Sequence, residues 1–126
     1  MRILMLIARL LLGLLFIVFG LNAFLQFLNM GPMPTGLAGQ FIGALAQSHY
    51  MWVVAALQII GGVLLLVNRF VPLALVLLGP VIVNILLYHI FLWPMGVAFA
   101  IVATILWFIV FYDVRRWFSG IFVVRT

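Results

Sequence analysis

Four apolar runs, each about twenty residues long, take up almost the whole of a 126-residue chain. A run of that length and composition crosses the hydrocarbon core of a bilayer as a single helix. Hydrophobic residues make up 70% of the chain and charged residues only 6%, against about a quarter charged in a soluble domain. Such a chain cannot cover itself with polar groups, so lipid must be its solvent. The reading is one all-α domain over residues 1–126, an integral membrane four-helix bundle with spans at about 3–28, 50–68, 71–92 and 96–113. These spans leave no room for a soluble catalytic domain.

The third span, residues 72–94, carries the densest polar content. Pro80 removes one donor and kinks the helix, freeing the carbonyl of Val76, which then needs a partner inside the protein. Asn84 follows one turn later and Tyr88 one turn beyond, on the same face. His89 lies about 140° round the helix from Asn84.

In span one, Gly13 and Gly20 share a stripe where another helix can approach closely. Asn22, Gln26 and Asn29 recur at helical spacing on one face. Arg9 lies inside this span and is expected to snorkel towards the nearer surface. In span two, Ala55, Gln58 and Gly62 share a face. In span four, Thr104 can bond its own backbone. Asp113 and Arg116, three residues apart, predict an ion pair at the helix end.

The connection after span one opens with the turn residues Gly31, Pro32 and Pro34. A helical pattern then returns from Gly36 to Gln47. Leu37, Phe41 and Leu45 mark one side, and Gly36, Gly39, Gly43 and Ala46 a small-residue side. Too short to span, this stretch predicts an interfacial helix with its small side pressed on the bundle. It serves either as a lid or as a packed loop.

All six basic residues are arginines: Arg2, Arg9, Arg69, Arg115, Arg116 and Arg125. They fall in the N-terminal segment, the second connection and the C-terminal segment. With four spans these lie on one side, and the positive-inside rule makes that side cytoplasmic, with both termini. The positive charge thus reads as topology and anionic lipid contact, and not as nucleic-acid binding.

Depth follows from the outer helix ends at about 1.5 Å per residue. Asn22 falls at about 9 Å, Gln26 about 3 Å, Gln58 and Asn84 about 12 Å, and Tyr88 about 6 Å. All lie in the outer half, which predicts a polar-floored cavity between spans one, two and three. Asn22, Gln26, Gln58, Asn84, Tyr88 and His89 are its candidate ligand-binding residues. Neutral amides and a phenol suit a quinone-like or lipid-like molecule. The alternative is a ligand-free bundle whose amides pair with one another.

The chain has no cysteine, so thiol redox chemistry and Cys-ligated metals are excluded. No carboxylate lies within a span for a proton relay, and no catalytic residue set is recognisable. His49 and His89 are the only histidines, and no metal site is assigned.

The stretches ARLLLGLLFIVFGLNAF (8–24), ALQIIGGVLLLVNRFVPLAL (56–75) and GPVIVNILLYHIFLWPMG (79–96) resemble the DoxX family of small four-helix membrane proteins. Arg9, Gly13 and Gly20 fit its first motif; Gly61, Gly62 and Arg69 fit its second. Relatives often carry an acid where this chain has Gln58. The resemblance implies a bacterial cytoplasmic membrane protein associated with redox metabolism. Its partners would be the lipid bilayer and a membrane or periplasmic redox protein, with oligomerisation compatible. Accessory subunit, subunit of a quinone-linked oxidoreductase and ligand-free scaffold or chaperone all stand as activities.

Overall fold

The computed structural model describes residues 2–25, 34–94, 96–121 and 123–125. These residues are all-α: α1 (Arg2–Leu25), α2 (Gly36–Gln47), α3 (Tyr50–Val67), α4 (Val71–Phe91) and α5 (Val97–Val114), followed by a 3-10 turn, Arg115–Phe118. Helices α1, α3, α4 and α5 are each long and apolar enough to cross a membrane. The expected last turn of span one, with Gln26 and Asn29, lies outside the described residues.

The turns end where the backbone chemistry requires it. Asn68 adopts a left-handed conformation at φ 57°, so its own N–H and that of Arg69 reach back to the carbonyls of Leu65 and Leu64. Pro72 then occupies the first turn of α4, where a missing N–H does no harm. The α4–α5 turn reverses at Gly96, whose φ of 94° suits a residue without a Cβ.

The four long helices close a ring in which α1 packs on α3, α3 on α4, α4 on α5 and α5 on α1. Lipid tails are as apolar as leucine, so helices associate in a bilayer through close packing and hydrogen bonds. The α1–α3 pair is the most intimate. A Cβ added at Gly13 would lie 2.8 Å from the carbonyl oxygen of Gly62, and one at Gly62 would lie 2.7 Å from that of Gly13. Two turns further along, a Cβ at Gly20 would meet the carbonyl oxygen of Ala55 at 3.0 Å. On the neighbouring side of α3, Gly61 receives the Leu78 side chain of α4. Leu12, Phe16, Leu65, Leu75 and Leu78 fill the centre with Ala103 and Val110.

Helix α5 is tied to α4 in the turns before Pro80. The indole N–H of Trp107 donates to the carbonyl of Leu75 at 3.0 Å, and the ring lies against Gly79. This inter-helix bond goes to Leu75, one residue before the carbonyl that Pro80 frees. Val76 itself sits on the outward face of α4, 53% exposed.

Three expectations are corrected. Arg9 does not simply snorkel: its Nη1 donates to the carbonyl oxygens of Leu65 and Leu66 at the end of α3. Helix C-terminal carbonyls lack in-helix donors and carry the negative end of the macrodipole, so they attract a cation more strongly than a distant surface does. The small side of α2 is not pressed on the bundle either. Ala38 is the buried residue, with Ile42 and Leu45 half-buried on its side, whereas a Cβ at Gly43 would meet nothing within 4 Å. A glycine face offers little side chain to bury, so the Ala38, Ile42 and Leu45 side packs instead, while Leu37 and Phe41 of the expected apolar side stay exposed. Finally, among the described residues Asp113 makes no ion pair. Arg116 lies over the Trp117 ring at 4.6 Å, and Arg115 over Tyr112 at 3.9 Å. Val114, between the two residues, leaves helical geometry at φ −113° and ψ 16°, so Asp113 and Arg116 do not share one continuous helical face.

Gly62→Leu should destabilise the bundle by about 3 kcal/mol, because the new side chain meets backbone that cannot yield; thermal unfolding in detergent measures it. Arg9→Met should fray the end of α3 and speed hydrogen exchange at the Asn68 and Arg69 amides about fivefold, equivalent to about 1 kcal/mol.

Candidate functional site

Gln58 is the polar residue turned into the bundle. On α3 it lies between the phase of Gly61, which faces α4, and that of Gly62, which faces α1. Its Cβ lies 3.3 Å from where a Cβ on Gly20 would be. The side chain is half-buried, and its amide makes no hydrogen bond with any described residue.

Tyr88 stands nearer the end of α4, half-buried, with its ring 5.8 Å from that of Phe41 on α2. The two rings put α2 over this end of the α3–α4 seam. Phe41 was assigned only to the apolar side of the short helix; its spacing with Leu37 and Leu45 marked it for packing but could not name Tyr88 as its partner.

The other candidate residues point elsewhere. Asn22 follows Gly20 by two residues, about 200° of helix, so it leaves α1 on the side away from α3 and is half-buried there. Gln26 lies outside the described residues. Asn84 faces outward, its Nδ2 donating to the carbonyl oxygen of Pro80 in the same helix at 2.8 Å. His89 places Nδ1 2.9 Å from the carbonyl oxygen of Trp93 and packs its ring against Gly96, so it fastens the α4–α5 turn. The structure therefore sets Gln58 beside Gly20 of α1, sets Tyr88 between Phe41 of α2 and the His89 ring, whose centroid lies 5.1 Å from its own, and turns Asn22 and Asn84 elsewhere.

One concavity lies outside the ring. It is an open depression of about 630 Å³ along the glycine face of α2, with Gln40 and Gln47 in its wall. Two apolar grooves of about 380 and 340 Å³ lie between α1 and α5. None of the three is lined by a residue predicted for the polar site. Among the described residues no group of three His, Cys, Asp or Glu side chains converges as a metal site would require.

Thr104 and Trp107 behave differently from the amides. The Thr104 hydroxyl donates to the carbonyl of Ala100 at 2.7 Å, as its helical position allows, and Trp107 spends its one donor on α4. An indole in the middle of a span signals that some neighbour must accept its N–H. Its spacing does not say which helix supplies the acceptor.

No curated protein and no solved structure matches the chain. The DoxX family model matches residues 4–90, from two residues into α1 to one residue short of the end of α4. With four apolar membrane-length helices, a glycine-paired α1–α3 contact and this match across more than half its length, the chain belongs to the DoxX family of membrane proteins.

Proposed function

We propose that this protein is a redox-associated accessory subunit of the bacterial cytoplasmic membrane, holding a quinone-like or lipid-like molecule in the outer half of its bundle. One observation carries the reading: Gln58, half-buried with its Cβ against α1 beside Gly20, has an amide with no hydrogen-bonding partner among the described residues. A primary amide inside an apolar bundle is stabilised by meeting a carbonyl or hydroxyl, and its loss from water without one costs on the order of 1–3 kcal/mol. An amphiphile with a polar head supplies that group, and its tail suits the surrounding apolar side chains. Tyr88 is placed to meet the molecule nearer the membrane surface, with Phe41 and α2 above it. Gln58 is neutral, so the contact is hydrogen bonding and carries no ionic or proton-relay role.

The outer half is the half bearing α2. In this reading the ends bearing Arg2, Arg69, Arg115 and Arg116 face the cytoplasm, where anionic lipid and the positive-inside bias hold them. The chain has no native cysteine, so single-cysteine labelling tests this directly. Gln47→Cys should react with a membrane-impermeant maleimide in intact cells, and Ser119→Cys only after permeabilisation. The reverse pattern would invert the topology and place the amphiphile in the cytoplasmic half.

For the ligand, the protein is purified in mild detergent and its organic extract analysed by mass spectrometry, wild type beside Gln58→Leu. A stoichiometric quinone or lipid present in wild type and reduced at least tenfold in the variant, with helicity retained, is the expected result. Equal extracts from both proteins, with the leucine variant as stable as wild type or more so, would sink the site.

A further inference from the structure

We infer that α4 is a self-association surface, on which Asn84 pairs with Asn84 of a second copy of this chain inside the bilayer. The outward faces of α1, α3 and α5 are apolar away from their ends: Leu11 and Leu14, Val53 and Ile60, Ile101 and Ile105 are typical. On α4 the outward face carries Val76, Pro80, Val83, Asn84 and Leu87. Asn84 is the one amide that the described spans turn outward, seven residues and so about 10 Å from the end of α4.

The hydrogen-bond inventory of that amide selects its partner. A carboxamide has two N–H donors and one carbonyl oxygen. One N–H goes to Pro80 of the same helix, and no other described residue meets the rest. One donor and one acceptor therefore face lipid tails, which can satisfy neither. A second polar feature shares the face, since Pro80 leaves the carbonyl of Val76 without its i+4 donor.

A second copy completes this set. Across a two-fold axis along the membrane normal, each residue on the axis faces its own equivalent at the same depth. The free N–H of each Asn84 then donates to the carboxamide oxygen of the other, giving two reciprocal bonds while both bonds to Pro80 persist. A carboxamide is its own complement in a way that a carboxylate or an ammonium group is not. Val83 and Leu87 pack around the pair and exclude lipid from it. Asn84 leaves α4 on the outside of the ring, so association needs no change in the α1–α3–α4–α5 packing.

The absence of cysteine gives a clean background for the test. Leu87→Cys, one turn above Asn84 on the same face, and Ile105→Cys, on the outward face of α5, are oxidised separately in native membranes. Association is then measured by energy transfer between labelled copies diluted in phosphatidylethanolamine–phosphatidylglycerol vesicles. A disulfide-linked dimer through position 87 and not through 105 is expected. Asn84→Leu should weaken association about tenfold, the size of two interhelical amide hydrogen bonds in a bilayer. Helicity and thermal midpoint identify a variant that fails to fold, in which case the cross-linking, done with Asn84 in place, decides. Cross-linking at 105 in preference to 87, a monomer at every protein-to-lipid ratio, or a folded Asn84→Leu variant that associates as wild type would each overturn the proposal. Because this face is separate from Gln58, its failure leaves the ligand reading untouched.

Discussion

The contact between Gly13 and Gly62 brings two helix backbones together with no side chain between them. In water, burying apolar surface would drive such a contact. In lipid that driving force is largely absent, and close approach supplies dispersion and weak backbone contacts instead. The rest of the ring depends on this pairing. It sets how near α1 lies to α3, lets Ile17 pack over Gly62, and places Arg9 against the last carbonyls of α3. The charge at Arg9 and the glycines about one turn away thus fasten the same pair, one by electrostatics and one by shape.

Polar groups in these spans are handled in three ways. Thr104 returns its hydroxyl to its own helix, so it needs no neighbour. Arg9 and Trp107 reach across to carbonyls of adjacent helices and hold the ring together. Gln58 and Asn84 retain hydrogen-bonding capacity that the described residues do not use, one directed inward and one outward. Unused capacity in a low-dielectric medium is where a molecule other than the chain gains most by binding. The partners proposed for the two amides differ accordingly, an amphiphile within the bundle for Gln58 and a second copy outside it for Asn84.

The fold was legible because each of its causes is local. A bilayer admits helices of a known length, and Pro72, Pro94 and Gly96 mark the turns between them. The glycine spacings of α1 and α3 identified the faces that meet. The candidate site was less legible. Asn22, Gln58 and Asn84 fall in one layer by depth, but depth does not say which way a side chain points round its helix. Helical phase within α1 relates Asn22 to Gly20, yet only the packing of Gly20 on Ala55 shows that Asn22 is turned away from α3. The packing side of the short helix was hidden for a similar reason: its length and ends, Gly36–Gln47, follow from local pattern, whereas the side it packs is settled by Ala38 and Ile42 meeting the bundle.

What this chain's sequence determined alone is its solvent, its number of spans, its turns and its close-packing stripes. These follow from composition and spacing, which act over a few residues and need no knowledge of neighbours. The tertiary structure alone decided that Arg9 caps α3, that Trp107 secures α4 near Pro80, that Gln58 lies against α1 and that Asn84 faces out. Each of these is an angle between helices distant in the chain. In a medium without a strong hydrophobic bias between faces, that angle is set by the summed fit of all four helices.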